Sequence, residues 1–105
     1  EALRDKNEVD PRRVADAHGY LDRSYAWLDR HLQGREWAAG AWFTIADCAA
    51  APALFYSDWV HPIPSALASL TTYRANLLAR PSVARVVDEA RPYRGFFPLG
   101  APDRD

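Results

Sequence analysis

The sequence of 105 residues has little of what covalent cross-linking, charge-driven binding or membrane insertion would require. Its one cysteine, Cys48, excludes an intramolecular disulfide and any metal site built from several cysteines. With 13 basic and 14 acidic residues there is no excess positive charge to hold a nucleic-acid backbone. No run approaches the roughly 20 apolar residues that a membrane helix needs, and no basic-then-apolar leader is visible. These absences favour a cytoplasmic protein that binds neither nucleic acid nor membrane.

Residues that favour β-strands are also scarce. There are 6 valines, 2 isoleucines and 3 threonines against 19 alanines. Alanine is the best helix former, whereas β-branched residues favour strands, so the composition predicts an all-α protein. The sequence begins at Glu1 and contains no methionine, which indicates either processing or a piece of a longer protein.

The first long helix is predicted over residues 11–33. Asp10 is suited to cap it, Pro11 to begin it, and Gly34 to end it. One face carries an apolar stripe at helical spacing, and a second, partly aromatic stripe suggests another set of neighbours. The first stripe is Val14, His18, Leu21, Tyr25, Leu28 and Leu32.

The strongest local signal is the segment Thr44-Ile45-Ala46-Asp47, which has the spacing of a capping box. Thr44 would cap a helix over residues 45–59, and Asp47 would return a hydrogen bond to the Thr44 amide. We favour this structural role for Asp47 over one as an acid or base. The helix is apolar nearly all round, so we expect it to be buried at the centre of the fold, bent at Pro52, with Cys48 an inert core thiol.

Two further helices are predicted, over residues 66–79 and 82–90, with Ser65 capping the first of them. We therefore divide the chain into a truncated helix or linker over 1–9, a helical domain over 10–98 and a flexible tail over 99–105. No phosphate-binding loop, nucleophile motif or histidine spacing for a metal is present, so neither a catalytic nor a metal-ligating residue is assigned.

Two segments together resemble a known family. Residues 28–54 read LDRHLQGREWAAGAWFTIADCAAAPAL, and residues 73–90 read YRANLLARPSVARVVDEA. They are similar to the C-terminal helical domain of bacterial glutathione S-transferases. The resemblance implies that the family's thioredoxin-like N-terminal domain, which binds glutathione and supplies the catalytic residue, and most of the first helix of the helical domain are missing from this chain.

The resemblance also implies a site for the second substrate at the end of the central helix. It assigns Trp59 and His61 to a pocket for a small hydrophobic electrophile, and Phe55 is added to them because it lies one turn before Trp59. The alternative is that Trp59 is a core residue and His61 a turn residue before Pro62. His18, on the apolar stripe, is more simply a core histidine.

Two functions follow from the resemblance and stay open at this point. In the first, the chain is part of a homodimeric glutathione transferase and supplies the hydrophobic wall of the electrophile site. Glutathione is then the co-substrate of the full-length protein, and this chain alone binds no cofactor, is inactive and self-associates. In the second, the chain is a non-catalytic interaction module of the same fold.

Overall fold

The computed structural model describes residues 10–105, in which helices are the sole regular elements. The four α-helices are α1 (Pro11–Leu32), α2 (Ile45–Val60), α3 (Ala68–Ala79) and α4 (Pro81–Ala90), and a 3₁₀ segment covers Arg91–Phe96. The all-α prediction is confirmed, and the helix ends lie within two residues of those predicted. The predicted helix end or linker over 1–9 lies outside the described residues.

Local interactions explain where helix α1 begins and ends. The Asp10 carboxylate accepts a hydrogen bond from the Arg12 amide at 2.9 Å, and Pro11 occupies the first helical position. After Leu32 the chain turns at Gly34, whose φ of 73° is in the left-handed region that glycine adopts without steric cost. The apolar stripe faces inward, with Tyr25 and Leu32 buried.

Helix α3 starts two residues later than predicted, at Ala68 rather than at residue 66. Ser65 does not cap it. Instead, the Asp29 carboxylate on α1 accepts a hydrogen bond from the Leu70 amide at 2.9 Å. An amide in the first turn of α3 is therefore satisfied by another helix, and this partner lies too far along the sequence for a local pattern to reveal it.

The centre of the described fold is α3, not α2 as predicted. Helix α3 packs against α1, α2 and α4, and its Leu70, Tyr73 and Leu77 are buried. On α2 the buried residues are Asp47, Leu54 and Asp58, whereas Ile45 is 86% exposed. The apolar residues of α2 indicate that the helix can be covered on all sides. Residues 10–105 cover only one side of it, which is why α2 is not the central helix that its sequence predicts.

The last part of the chain packs more loosely. No residue of α4 is buried, although Val83 and Val87 are half-buried. The division of the chain into domain and flexible tail stays a prediction. In residues 99–105, Arg104 bonds Asp58 of α2 and Asp105 bonds Arg91 and Arg94. Among the described residues, no helix has the length and apolar character needed to span a membrane.

Candidate functional site

An apolar cleft of about 730 Å³ lies where α2, α3, α4 and the 3₁₀ segment meet. Its α4 wall carries valines at helical spacing, and its opposite wall carries aromatic rings of α2. Phe96 and Phe97 line it from the end of the 3₁₀ segment and the residue that follows. The valines are Val83, Val86 and Val87, and the α2 rings are Phe55, Tyr56 and Trp59. A concave apolar site with few polar groups is typical of small-molecule binding sites.

The rings at this cleft contact one another directly. The ring centroids of Phe55 and Trp59 are 4.6 Å apart, and those of Trp59 and Phe97 are 5.4 Å apart. Phe97 also stacks on Tyr56 at 5.5 Å. Such distances are within the range in which aromatic pairs attract beyond their buried area. Phe97, directly after the 3₁₀ segment, is thereby joined to α2 through rings, and both contribute to one aromatic wall.

Two guanidinium groups interrupt this apolar lining. Arg74 reaches from α3, lies 5.5 Å from the Phe55 ring centroid and donates to the carbonyls of Leu54 and Phe55, both at 3.3 Å. Burial lowers the pKa of Arg74, although Asp58 opposes this effect. Arg94 lies 5.1 Å from the Trp59 ring centroid. The cleft thus joins aromatic surface to positive charge.

The structure brings Phe55 and Trp59 together but places His61 elsewhere. Nε2 of His61 lies 2.6 Å from the Asp22 carboxylate on α1, and its ring stacks on His18 at 4.4 Å. The backbone carbonyl of His61 accepts a hydrogen bond from Tyr25. His61 begins the turn after α2, so its side chain turns towards α1 and does not line the cleft.

The N-terminus of α2 contains the capping box. The Thr44 amide donates to Asp47 at 2.8 Å, and the Thr44 hydroxyl accepts from the Ala46 amide. Asp47 is fully buried and also accepts from the Ala38 amide at 2.8 Å and the Tyr73 hydroxyl at 2.5 Å. Burial alone would raise the pKa of Asp47, but these hydrogen bonds outweigh it and the pKa is lowered. The carboxylate is fully engaged in holding the fold.

A second buried carboxylate, Asp58, lies near the end of α2. It accepts from the Ile63 amide at 2.8 Å and from Arg104 at 2.6 Å, and Arg74 lies 3.5 Å away. Burial opposes the charged form, yet the Ile63 amide and the two guanidinium groups lower the pKa of Asp58. Arg104 also donates to the Asp58 carbonyl at 3.0 Å, so the tail is attached to α2 at two atoms.

Cys48 differs from its predicted role as a core thiol. It is exposed and lines the cleft directly after Asp47, the last residue of the capping box. The reason is that residues 10–105 cover only one side of α2. Asp47 lies on that side and faces α3, whereas Cys48, the next residue, points away from it. Among residues 10–105 no group of three or more histidine, cysteine or acidic residues could hold a metal ion.

Sequence reasoning missed the polar members of the cleft. No local motif marks Arg74 or Arg94, because the cleft is assembled from distant parts of the chain. The adjacent pair Phe96-Phe97 is a signal that could have indicated docking, but it does not show the partner. The valine spacing on α4 is visible in the sequence, although its role in a cleft depends on the position of α2.

Comparison with known families addresses the chain as a whole. Residues 11–89 match the family described as glutathione S-transferase, C-terminal domain. The chain belongs to this family. In this glutathione S-transferase C-terminal domain the match covers α1 to α3 and all of α4 except Ala90, and it does not include the 3₁₀ segment that lines the cleft. Searches of curated proteins and of solved structures gave no significant match.

Proposed function

We propose that this domain supplies the apolar wall of the electrophile site in a homodimeric glutathione transferase. The observation that carries the proposal is the cleft in which Phe55 and Trp59 lie side by side, 4.6 Å apart. A hydrophobic electrophile would lose water-exposed apolar area there, and burial of such area is favourable by roughly 25 cal/mol per Å². Glutathione would be the co-substrate, held by a thioredoxin-like domain outside this chain.

The chemistry assigned to this chain is positioning. Conjugation requires a thiolate near the electrophilic atom, and correct placement of two reactants removes much of the barrier to their reaction. Rings at the cleft would fix the plane and depth of the electrophile. No residue of this chain is proposed to activate the thiol, so the isolated chain should neither bind glutathione nor catalyse its conjugation.

The proposal is tested in the full-length parent by Trp59→Ala. With 1-chloro-2,4-dinitrobenzene as the electrophile, we expect its KM to rise about five- to tenfold, from the loss of aromatic contact, while the KM for glutathione stays unchanged. The matched control is Trp42→Ala, because Trp42 is 80% exposed and does not line the cleft. An equal rise in both KM values, or an effect of Trp42→Ala as large, would contradict the proposal.

The second candidate function is a non-catalytic interaction module. It is favoured by exposed rings on α1, where Tyr20 is 65% and Trp27 is 57% exposed, on the stripe that pointed to a second neighbour. In this case the parent would show no conjugation under any electrophile, while Trp27→Ala would weaken assembly. Sedimentation of the parent beside the turnover assay separates the two functions.

A further inference from the structure

A second cavity, of about 330 Å³, lies between the turn after α1 and one face of α3. It shares no lining residue with the apolar cleft. The buried side chains of Leu32 and Tyr73 contribute to its lining, and apart from Gly34 and Ala68 the remaining lining residues are polar. The volume is near the lower end of the range of roughly 300–1,000 Å³ that small-molecule sites occupy. The cavity is therefore large enough for one small polar molecule.

The α3 wall of this cavity carries neutral polar groups. Ser69, Thr72 and Asn76 follow one another at spacings of three and four residues, which places them on one face of the helix. Ser69 and Asn76 are half-buried, and none of the three side chains has a hydrogen-bond partner among residues 10–105. Two hydroxyl groups and one amide offer both donors and acceptors. A ligand that lies along this wall can therefore be held by hydrogen bonds of either kind.

The opposite wall carries two charges of opposite sign on consecutive residues. Arg35 and Glu36 both line the cavity, and neither side chain forms an ion pair or a hydrogen bond with another residue of the described chain. On α4, by contrast, the exposed side chains of Arg85 and Glu89 are paired at 2.9 Å. The cavity thus presents one cation and one anion that no protein group neutralises. A ligand that has one charge of each sign would match both.

Short-range and interhelical hydrogen bonds fix the two walls relative to each other. The Asp29 carboxylate on α1 accepts from the Leu70 amide at 2.9 Å, next to the α3 wall. In the turn that forms the other wall, the Arg35 amide donates to the Leu32 carbonyl at 3.0 Å, and Gly34 has a φ of 73°. A site whose backbone is already ordered loses less conformational entropy when a ligand binds.

We infer that this cavity binds the zwitterionic head group of a free α-amino acid, with the carboxylate at Arg35 and the ammonium group at Glu36. The polar side chain of the amino acid would lie along the α3 wall. A purely anionic molecule would leave Glu36 unmatched, and a purely cationic one would leave Arg35 unmatched. The inference does not depend on the proposed function, because no residue of this cavity lines the cleft.

Three probes with one side chain test the inference in this chain. They are L-glutamine, N-acetyl-L-glutamine, which lacks the ammonium group, and L-glutaminamide, which lacks the carboxylate. Titrations followed by the NMR resonances of the backbone amides measure the Kd and show where a probe binds. For L-glutamine we expect saturable binding with a Kd on the order of 1 mM and shifts centred on Ser69 and Thr72. Absence of saturable binding, or shifts centred on the apolar cleft, would overturn the inference.

Substitutions of the two charged residues test each charge separately. Arg35→Gln should raise the Kd of L-glutamine about three- to fivefold, as for the loss of an exposed ion pair, and change that of L-glutaminamide by less than about twofold. Glu36→Gln should weaken L-glutamine to a similar degree and leave N-acetyl-L-glutamine unaffected. Neither side chain has a partner among the described residues, so we expect both variants to fold.

The matched controls are Arg85→Gln and Glu89→Gln, which remove the same charges from exposed side chains that do not line the cavity. They should change the Kd of L-glutamine by less than about twofold. An equal effect of the controls, or an equal weakening of all three probes by Arg35→Gln, would overturn the inference. If both charge variants leave L-glutamine binding unchanged while Thr72→Val weakens it, the cavity binds neutral polar molecules and the zwitterionic assignment is wrong.

Discussion

Helix α2 holds two buried carboxylates that are stabilised in different ways. Asp47, near its start, is held by neutral donors, namely the amides of Ala38 and Thr44 and the hydroxyl of Tyr73. Asp58, near its end, is held by one amide and by the guanidinium groups of Arg74 and Arg104. Asp47 keeps a full negative charge without a cation in contact, whereas Asp58 belongs to an ionic cluster.

The difference shows that the two ways of stabilising a buried carboxylate join different parts of the molecule. Neutral hydrogen bonds to Asp47 join the loop before α2 to α3, and they act inside the fold where solvent ions do not enter. The cluster at Asp58 joins the tail to α2 through Arg104, whose side chain is 43% exposed. The first arrangement therefore fixes the helical core, and the second attaches the tail to it.

The largest expected effect is that of Asp47→Ala. Three donors lose their acceptor, one in a buried and two in part-buried hydrogen bonds, and we expect the free energy of unfolding to fall by about 3 kcal/mol or more. Urea unfolding followed by circular dichroism measures this loss. The control is Asp103→Ala, at an exposed tail position, which should change stability by less than about 0.5 kcal/mol. A loss below about 1 kcal/mol for Asp47→Ala would show that its hydrogen bonds do not hold the core.

Low pH should destabilise the fold through both buried carboxylates. The pKa values of Asp47 and Asp58 are lowered in the folded chain from an ordinary value of 3.8. A depressed folded pKa gives stability that is fully present above the unfolded pKa and is lost as pH falls through the folded pKa. We therefore expect the free energy of unfolding to decrease below about pH 4, and Asp47→Asn to make that decrease shallower. An equally steep decrease in Asp47→Asn would exclude Asp47 as a source.

The smallest expected effect is that of Arg104→Gln, which removes the exposed cation from Asp58. Because Arg74 and the Ile63 amide remain, we expect a loss of about 0.5 kcal/mol that shrinks further in 1 M salt. Thermal unfolding at low and high salt measures it. We expect the loss of stability in Asp47→Ala to be the same in 1 M salt, and that in Arg104→Gln to become smaller. An equal salt dependence of the two variants would contradict the distinction between neutral and ionic stabilisation of the two carboxylates.

The sequence predicted what depends on near neighbours. Thr44 and Asp47 stand three residues apart, so their capping box could be recognised without knowledge of the fold, and the Asp10-Pro11 start of α1 likewise. The contact of Arg104 with Asp58 and that of His61 with Asp22 join residues far apart in sequence, and no local pattern indicates them. Phe55 and Trp59 are one turn apart on α2, which is why their proximity followed from spacing, whereas the arginines at their cleft did not.

The exposed side of α2 also limits prediction from sequence. Its alanines and Ile45 indicate a helix that tolerates close neighbours, but a pattern of side chains does not show which neighbours are present. Fold class follows from such patterns because it depends on the sum of many residues. The position of one helix relative to the centre depends on what surrounds it, and here α3 holds that place.

The hydrogen bond from the Leu70 amide to Asp29 has a consequence for how motion of this domain can be observed. An amide in the first turn of a helix ordinarily exchanges its hydrogen with water when that turn frays. Here the acceptor belongs to α1, so exchange at Leu70 requires loss of a contact between α1 and α3. This single amide is therefore a reporter of that contact between the two helices, rather than of the fraying of α3 alone.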